Sequence, residues 1–222
     1  MEVFYLHGFT SSPGSGKASD LTRRFAAFGV PVHAPDLNLP HFSTLTVTRM
    51  IDQLDRAIDA RPPGPVVLVG SSLGGFVALH AADRRAARLE DGHPVSHLVL
   101  LAPAVDFGWM RDPLVVPERI EAWRNTDRWD LYHPGYGRTM PVHFALWEDA
   151  GRYDSLAVTP RVPTLVLHGT EDTVVDLRSV QRFADGRPNV TLRVLDGADH
   201  QLQGRLEDVW EEIERFLSLD AG

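Results

Sequence analysis

The sequence predicts an α/β protein built on an open, mostly parallel sheet of about six strands with helices on both faces. Three observations carry this expectation. Short, almost continuous apolar runs recur at residues 3–6, 30–34, 66–69, 98–101 and 164–167, the pattern of strands buried on both faces of a parallel sheet. Amphipathic helical patterns lie between them. The early runs are about 30 residues apart, the size of a βαβ unit.

In chain order, the run at 3–6 is followed by Leu21, Phe25 and Phe28 at helical spacing, ended by Gly29. After the run at 30–34, a second helical stripe carries Val47, Met50, Ile51, Leu54 and Ile58. Arg61-Pro-Pro-Gly-Pro65 reads as a rigid turn before the strand at 66–69, and a helix is expected over 76–87. The segment 190–195 places Thr191 and Arg193 between apolar residues and predicts an edge strand. Leu206, Val209, Trp210, Ile213, Phe216 and Leu217 give a closing helix with a wide apolar stripe.

Residues 1–222 fit one domain carrying an insertion, because the interval between the runs at 98–101 and 164–167 is about twice the earlier spacing. The insertion, 106–154, holds Trp109, Trp123, Trp129 and Trp147, four of the five tryptophans, together with Phe107, Tyr132, Tyr136, Phe144 and Tyr153. Its position at the carboxyl edge of the sheet predicts a small lid, with Phe107 and Trp109 as pocket wall. The alternative reading puts Trp123 and Trp129 on helices, packed inward as a satellite core.

A net charge of −8 with no Lys/Arg run lacks the basic footprint of a nucleic-acid binder. The absence of cysteine excludes disulfides, thiolate metal sites and a cysteine nucleophile. No run of about 18 apolar residues occurs, and no basic segment with a long apolar stretch precedes residue 3, so a cytoplasmic protein without a membrane span is expected. With no metal-binding or phosphate-binding motif, no cofactor is expected.

Gly70-Ser-Ser-Leu-Gly74 lies between an expected strand and an expected helix. A turn this sharp needs small residues two positions either side of its central serine, whose hydroxyl then projects into the crevice at the strand's carboxyl end. Ser72 holds that position, whereas Ser71 reads as a space-filling neighbour. A serine hydroxyl needs an imidazole to take its proton. Among ten histidines, His200 in Gly197-Ala-Asp-His-Gln201 lies between the last strand and the last helix, within reach of the strand ends. His7 and His168 fall at strand ends beside a glycine and read as structural or crevice-lining. His80 reads as a packed helix residue.

The base needs an anionic partner to orient it. Asp172, after the strand at 164–167, is the expected acid, with Glu171, Asp176 and Asp199 as adjacent alternatives and Asp106 as the principal competitor. The backbone N–H groups of Leu73 and Phe9 are expected to stabilise an oxyanion, with His7 beside them at the pocket.

Together these residues resemble the α/β-hydrolase superfamily in motif, order and context, and the order Ser, Asp, His is the superfamily's. Tyr5-Leu-His-Gly-Phe-Thr-Ser-Ser-Pro-Gly-Ser-Gly-Lys-Ala18 and Gly70-Ser-Ser-Leu-Gly-Gly75 resemble small bacterial esterases of the YqiA type. Leu101-Ala-Pro-Ala-Val-Asp-Phe107 and the Trp-rich stretch are similar to acyl-thioesterase relatives of the mitochondrial depalmitoylase kind. The resemblance implies carboxylic ester hydrolysis through an acyl-serine, with thioester, peptide or carbon–carbon bond hydrolysis as alternatives and a small acyl ester or thioester as substrate. A binding or scaffold protein is the non-enzymatic alternative.

Overall fold

The computed structural model describes residues 1–86, 94–109 and 117–219. Six strands form one sheet: β1 (Glu2–Leu6), β2 (Val32–His33), β3 (Val66–Ser71), β4 (Val95–Leu101), β7 (Thr164–Gly169) and β8 (Val190–Leu195). Their order is β2-β1-β3-β4-β7-β8, and every neighbouring pair in it is parallel. Leu68 pairs with Phe4 on one side and Leu98 on the other, so β3 is central. This arrangement is the α/β-hydrolase fold.

Alternation along the strands divides the core between the two faces. Val3, Tyr5, Val67, Val69, Val99 and Leu101 point to one face, covered by α1 (Gly16–Ala27) and α7 (Leu206–Leu217) through Leu21, Phe25, Val209, Trp210 and Ile213. Phe4, Leu6, Leu68, Leu98 and Leu100 point to the other, covered by α2 (Val47–Asp59), α3 (Leu73–Ala86) and α6 (Leu177–Ala184). Burial on both faces explains why these strands read as apolar runs, while the edge strand β8 keeps the alternation expected of it.

The insertion folds as α4 (Pro117–Thr126), an antiparallel hairpin of β5 (Trp129–His133) and β6 (Arg138–Val142), and α5 (Ala145–Ala150). Trp123 is buried at its centre, its Nε1–H donating to Val142 O at 2.8 Å, with the rings of Trp129, Phe144 and Trp147 around it. These aromatics join the main core on the α2 and α3 face. Asp149 accepts from Thr48 N and Thr48 Oγ1, both at 2.7 Å, at the start of α2. His143 N donates to Ser43 O at 2.9 Å. The insertion is therefore tied to the body of the protein at α2 and at the one-turn segment Phe42–Thr44.

Three elements differ from expectation. Trp129 opens a strand rather than lying on a helix, because Trp129-Asp-Leu-Tyr-His133 alternates and Pro134-Gly-Tyr-Gly137 supplies a turn, with Gly137 at φ +61. The second strand shortens to Val32–His33, paired only through Val3 and Phe4. Helix α6, eight residues long with Val180 and Phe183 buried, is not among the expected elements, and Asp176 caps it by accepting from Arg178 N.

The tightest approach in the fold joins β1 to the start of α3. A Cβ on Gly74 would lie 2.1 Å from Leu6 O and 2.7 Å from His7 O, both backbone atoms. Gly64, in the turn before β3, has nothing within 4 Å of the same position. Gly74→Ala should cost at least about 2–3 kcal/mol, while Gly64→Ala should stay within about 0.5 kcal/mol of wild type. Denaturant unfolding of the two variants checks this, and equal stabilities would contradict it.

Candidate active site

The chain passes from β3 into α3 through a single turn centred on Ser72, which sits at φ +54, a left-handed conformation uncommon for a residue with a Cβ. Glycines make the turn possible: a Cβ on Gly70 would lie 2.3 Å from Gly74 O. Ser72 N donates to Leu101 O at 2.9 Å and Ala104 N donates to Ser72 O at 3.2 Å, which ties the turn to the end of β4. The strand order reverses between β1 and β3, and ligands of open α/β sheets bind at such a switch point. Ser72 stands there.

His200 comes from the loop between β8 and α7. Its Nε2 lies 3.0 Å from Ser72 Oγ and its Nδ1 lies 2.8 Å from Asp172 Oδ2. The carboxylate partner places the ring proton on Nδ1 and leaves Nε2 to accept from the serine hydroxyl. The loop is fixed by close approach to β7: Gly169 could not carry a Cβ, which would lie 2.0 Å from Ala198 O, and Glu171 N donates to that same oxygen at 2.9 Å.

Asp172 has a fully buried side chain. Burial alone would raise its pKa, but the hydrogen bonds from His200 and from the backbone N–H groups of Val175 and Val174 prevail and hold it below the ordinary carboxylate range. His168, fully buried beside it, donates from Nε2 to Val175 O at 3.0 Å and lies 3.5 Å from Asp172 Oδ2.

The competing acids lie elsewhere. Asp106 borders a cleft of ≈ 400 Å³ together with Asp176, Arg178, Ser179 and Arg182. Asp176 caps α6, Asp199 accepts from Leu202 N, and Glu171 is exposed. Both ring nitrogens of His7 are engaged by backbone: Nδ1 donates to Gly8 O at 3.0 Å and Nε2 accepts from Leu37 N at 3.1 Å, so it braces the loop after β1 to the loop after β2. His80 is buried in α3, with Nε2 3.1 Å from Ser155 Oγ. Burial pushes it down to about 4.

Leu73 follows the serine as the first residue of α3, and Phe9 lies on the loop after β1. Among the described residues no acceptor is hydrogen-bonded to either backbone N–H. Phe107 is half-buried and meets Phe76 edge to face with centroids 5.7 Å apart. Trp109 ends the turn Phe107–Trp109, and its side chain lies outside the described part of the structure. No group of three or more His, Asp or Glu among the described residues is arranged to hold a metal ion.

Sequence reasoning missed two polar residues in these surroundings. Lys17 is buried at the start of α1, and only Asp199 and Asp172 oppose the burial that pushes its ammonium down to about 8. The available signal was position, since Lys17, Leu21 and Phe25 follow one another at four-residue spacing on the buried stripe. His133, at the end of β5, is fully buried with no hydrogen-bond partner on either ring nitrogen.

A six-stranded parallel sheet with a serine on the turn after its central strand, and with histidine and aspartate loops converging at the same edge, defines the class as α/β-hydrolase. Within it the chain belongs to UPF0227, described as an uncharacterised protein family, whose model matches residues 2–218. Over 80 residues it is 41% identical to the lipase LipV of Mycobacterium tuberculosis, a stretch spanning 34% of this chain and only 28% of LipV. A candidate hydrolase from Agrobacterium vitis S4 superposes with a TM-score of 0.87 at 23% identity, over 99% of this chain and 88% of that one. Est1E from Butyrivibrio proteoclasticus, solved with ferulic acid bound, superposes at 0.81 with 18% identity, over 97% and 87% of the two chains. At these identities the two solved structures share the fold. No helix among the described residues is long and apolar enough to cross a membrane.

Lys17 makes a pH-dependent contribution to stability. Below about pH 8 its ammonium is charged in both the folded and the unfolded chain, and burying it costs stability. Between about 8 and the ordinary 10.5 the unfolded chain keeps a proton that the folded chain has shed, so stability rises with pH. Lys17→Met should therefore be more stable than wild type at pH 7, with the difference shrinking by pH 10. Urea unfolding at both pH values measures it, and an equal gain at both would refute the assignment.

Proposed function

We propose that this chain is a serine carboxylic ester hydrolase that works through a covalent acyl-Ser72. The observation that carries the reading is the relay from Ser72 Oγ to His200 Nε2 at 3.0 Å and from His200 Nδ1 to Asp172 Oδ2 at 2.8 Å. The partial similarity to LipV supports a hydrolytic role.

In the first half-reaction His200 Nε2 takes the Ser72 proton as Oγ attacks the ester carbonyl carbon. The new C–O bond pushes the carbonyl electron pair onto oxygen, where the N–H groups of Leu73 and Phe9 receive it. The loop bearing Phe9 runs beside the serine, the Cβ position of Gly8 being 3.3 Å from Ser72 Cβ, which supports pairing Phe9 with Leu73 in this role. The tetrahedral intermediate collapses, the ester C–O bond breaks, and the alcohol leaves with the proton from His200. Water then attacks the acyl-serine with His200 as base, and the acid departs as the serine is regenerated. Asp172 holds the Nδ1–H tautomer and offsets the charge of the imidazolium throughout. Phe107, on the insertion, is part of the acyl wall in this reading, and the insertion acts as a fixed cover.

A fluorophosphonate probe should label the folded wild type and leave Ser72→Ala unlabelled. Failure of the folded wild type to label would remove the acyl-serine mechanism. With a short-chain acyl ester, Asp172→Asn should lower kcat by about 10³–10⁴-fold, the size of effect known for the equivalent change in a serine protease triad, while Asp106→Asn should lower it by less than about five-fold, since Asp106 faces α6 rather than His200. The reverse ranking would transfer the role of acid to Asp106.

A further inference from the structure

His133 is the one histidine among the described residues whose two ring nitrogens are both buried and both without a hydrogen-bond partner. Its relative exposure is 0%. Burial holds its pKa below the ordinary imidazole value, opposed by its own backbone carbonyl; His7 adds to the lowering and Asp36 opposes it. The ring is therefore neutral, with one N–H to give and one lone pair to fill. Buried polar groups in native proteins are nearly always satisfied, so a side chain lacking partners on both nitrogens needs a reason.

Its surroundings supply one. Phe9, the residue proposed to hold the oxyanion, stacks on Phe42 with centroids 5.6 Å apart. Phe42 meets His133 edge to face at 4.8 Å, and Tyr136 lies over His133 at 4.4 Å. A continuous row of rings thus leads from the acyl-transfer site to the surface, with an unsatisfied polar ring inside it. Its footing is rigid: Arg49 donates to His41 O, Thr44 O and Leu37 O, which fixes the segment bearing Phe42. The covering residue is not. Tyr136 is 42% exposed and lies between two glycines, so it is the ring of the row with the most freedom to move aside.

We propose that His133 is a specificity-determining residue which hydrogen-bonds a hydroxyl carried by a planar, aromatic acyl group lying along the row of rings. This rests on the ester-hydrolase reading above. Flat aromatic surface suits the rings of Phe42 and Tyr136. A neutral imidazole suits a hydroxyl, which can accept from its N–H or donate to its lone pair, and gives no advantage to an anion or a cation. A site with a buried polar group awaiting a hydroxyl discriminates against the analogue that lacks it, because the group then stays unpaired.

The test compares methyl 3-(4-hydroxyphenyl)propionate with methyl 3-phenylpropionate, in which two methylenes insulate the ester so that the hydroxyl does not alter its intrinsic reactivity. Wild type should prefer the hydroxylated ester by about ten-fold or more in kcat/KM, chiefly through KM. His133→Phe should bring the ratio of the two kcat/KM values to about one. His133→Gln, which retains a donor and an acceptor, should keep part of the preference. No preference in wild type, a preference that survives in His133→Phe, or turnover of neither ester by an enzyme whose Ser72 labels with fluorophosphonate would each overturn the proposal and leave the hydrolase reading intact. A folded wild type that does not label at Ser72 would fail the hydrolase reading itself.

Discussion

The contact on which the site depends is backbone against backbone: the start of α3 lies so close to the end of β1 that no side chain fits at Gly74. That approach turns the chain sharply enough to hold Ser72 at φ +54 and brings the loop bearing Phe9 alongside it. Strain at one residue is tolerated because the surroundings over-determine it. Ser72 N and O are both bonded to the segment leaving β4, and α3 is buried along almost its whole length. The proposed nucleophile and the proposed oxyanion donors are thus positioned by the same packing, before any substrate arrives.

Around this rigid centre the charged groups are arranged asymmetrically. Asp172 is buried yet remains ionised, because three N–H donors converge on it. His168 stands behind it as a neutral ring whose Nε2–H points toward Val175 O and the carboxylate. Lys17 is the reverse case, a buried cation kept charged near neutrality only by the fields of Asp199 and Asp172.

Much of this was legible in the sequence because it follows from local rules. The glycines flanking Ser72 are demanded by the turn, the apolar runs by burial on two faces, and the order of Ser72, Asp172 and His200 by the strand ends from which they project. Distances across the sheet were not legible. Nothing local distinguishes Asp172 from Asp106, since both follow strands at the same edge; the choice depends on which loop faces His200. His7 reads as structural or crevice-lining from its place at a strand end, and it is structural, but its partner Leu37, thirty residues away, was not legible for the same reason. The hairpin of the insertion was obscured by its aromatics, which serve helices and strands equally well, so that Trp129 was placed on the wrong element.

The insertion shows how one composition can serve two purposes. Trp123, Trp129, Phe144 and Trp147 pack on one another and on the main core, which settles them as structural. The rings at the other end of the hairpin, His133 and Tyr136, turn instead toward Phe42 and Phe9. The first group anchors the second: with Trp123 bonded to Val142 O and His143 N bonded to Ser43 O, the hairpin cannot lift from the segment that carries Phe42 without breaking buried contacts. An insertion held in this way adjusts by side-chain rotation rather than by hinge motion. In the proposed reading, selectivity comes from the shape and hydrogen bonding of a preformed wall, which loses little entropy when a ligand fits and yields little when it does not.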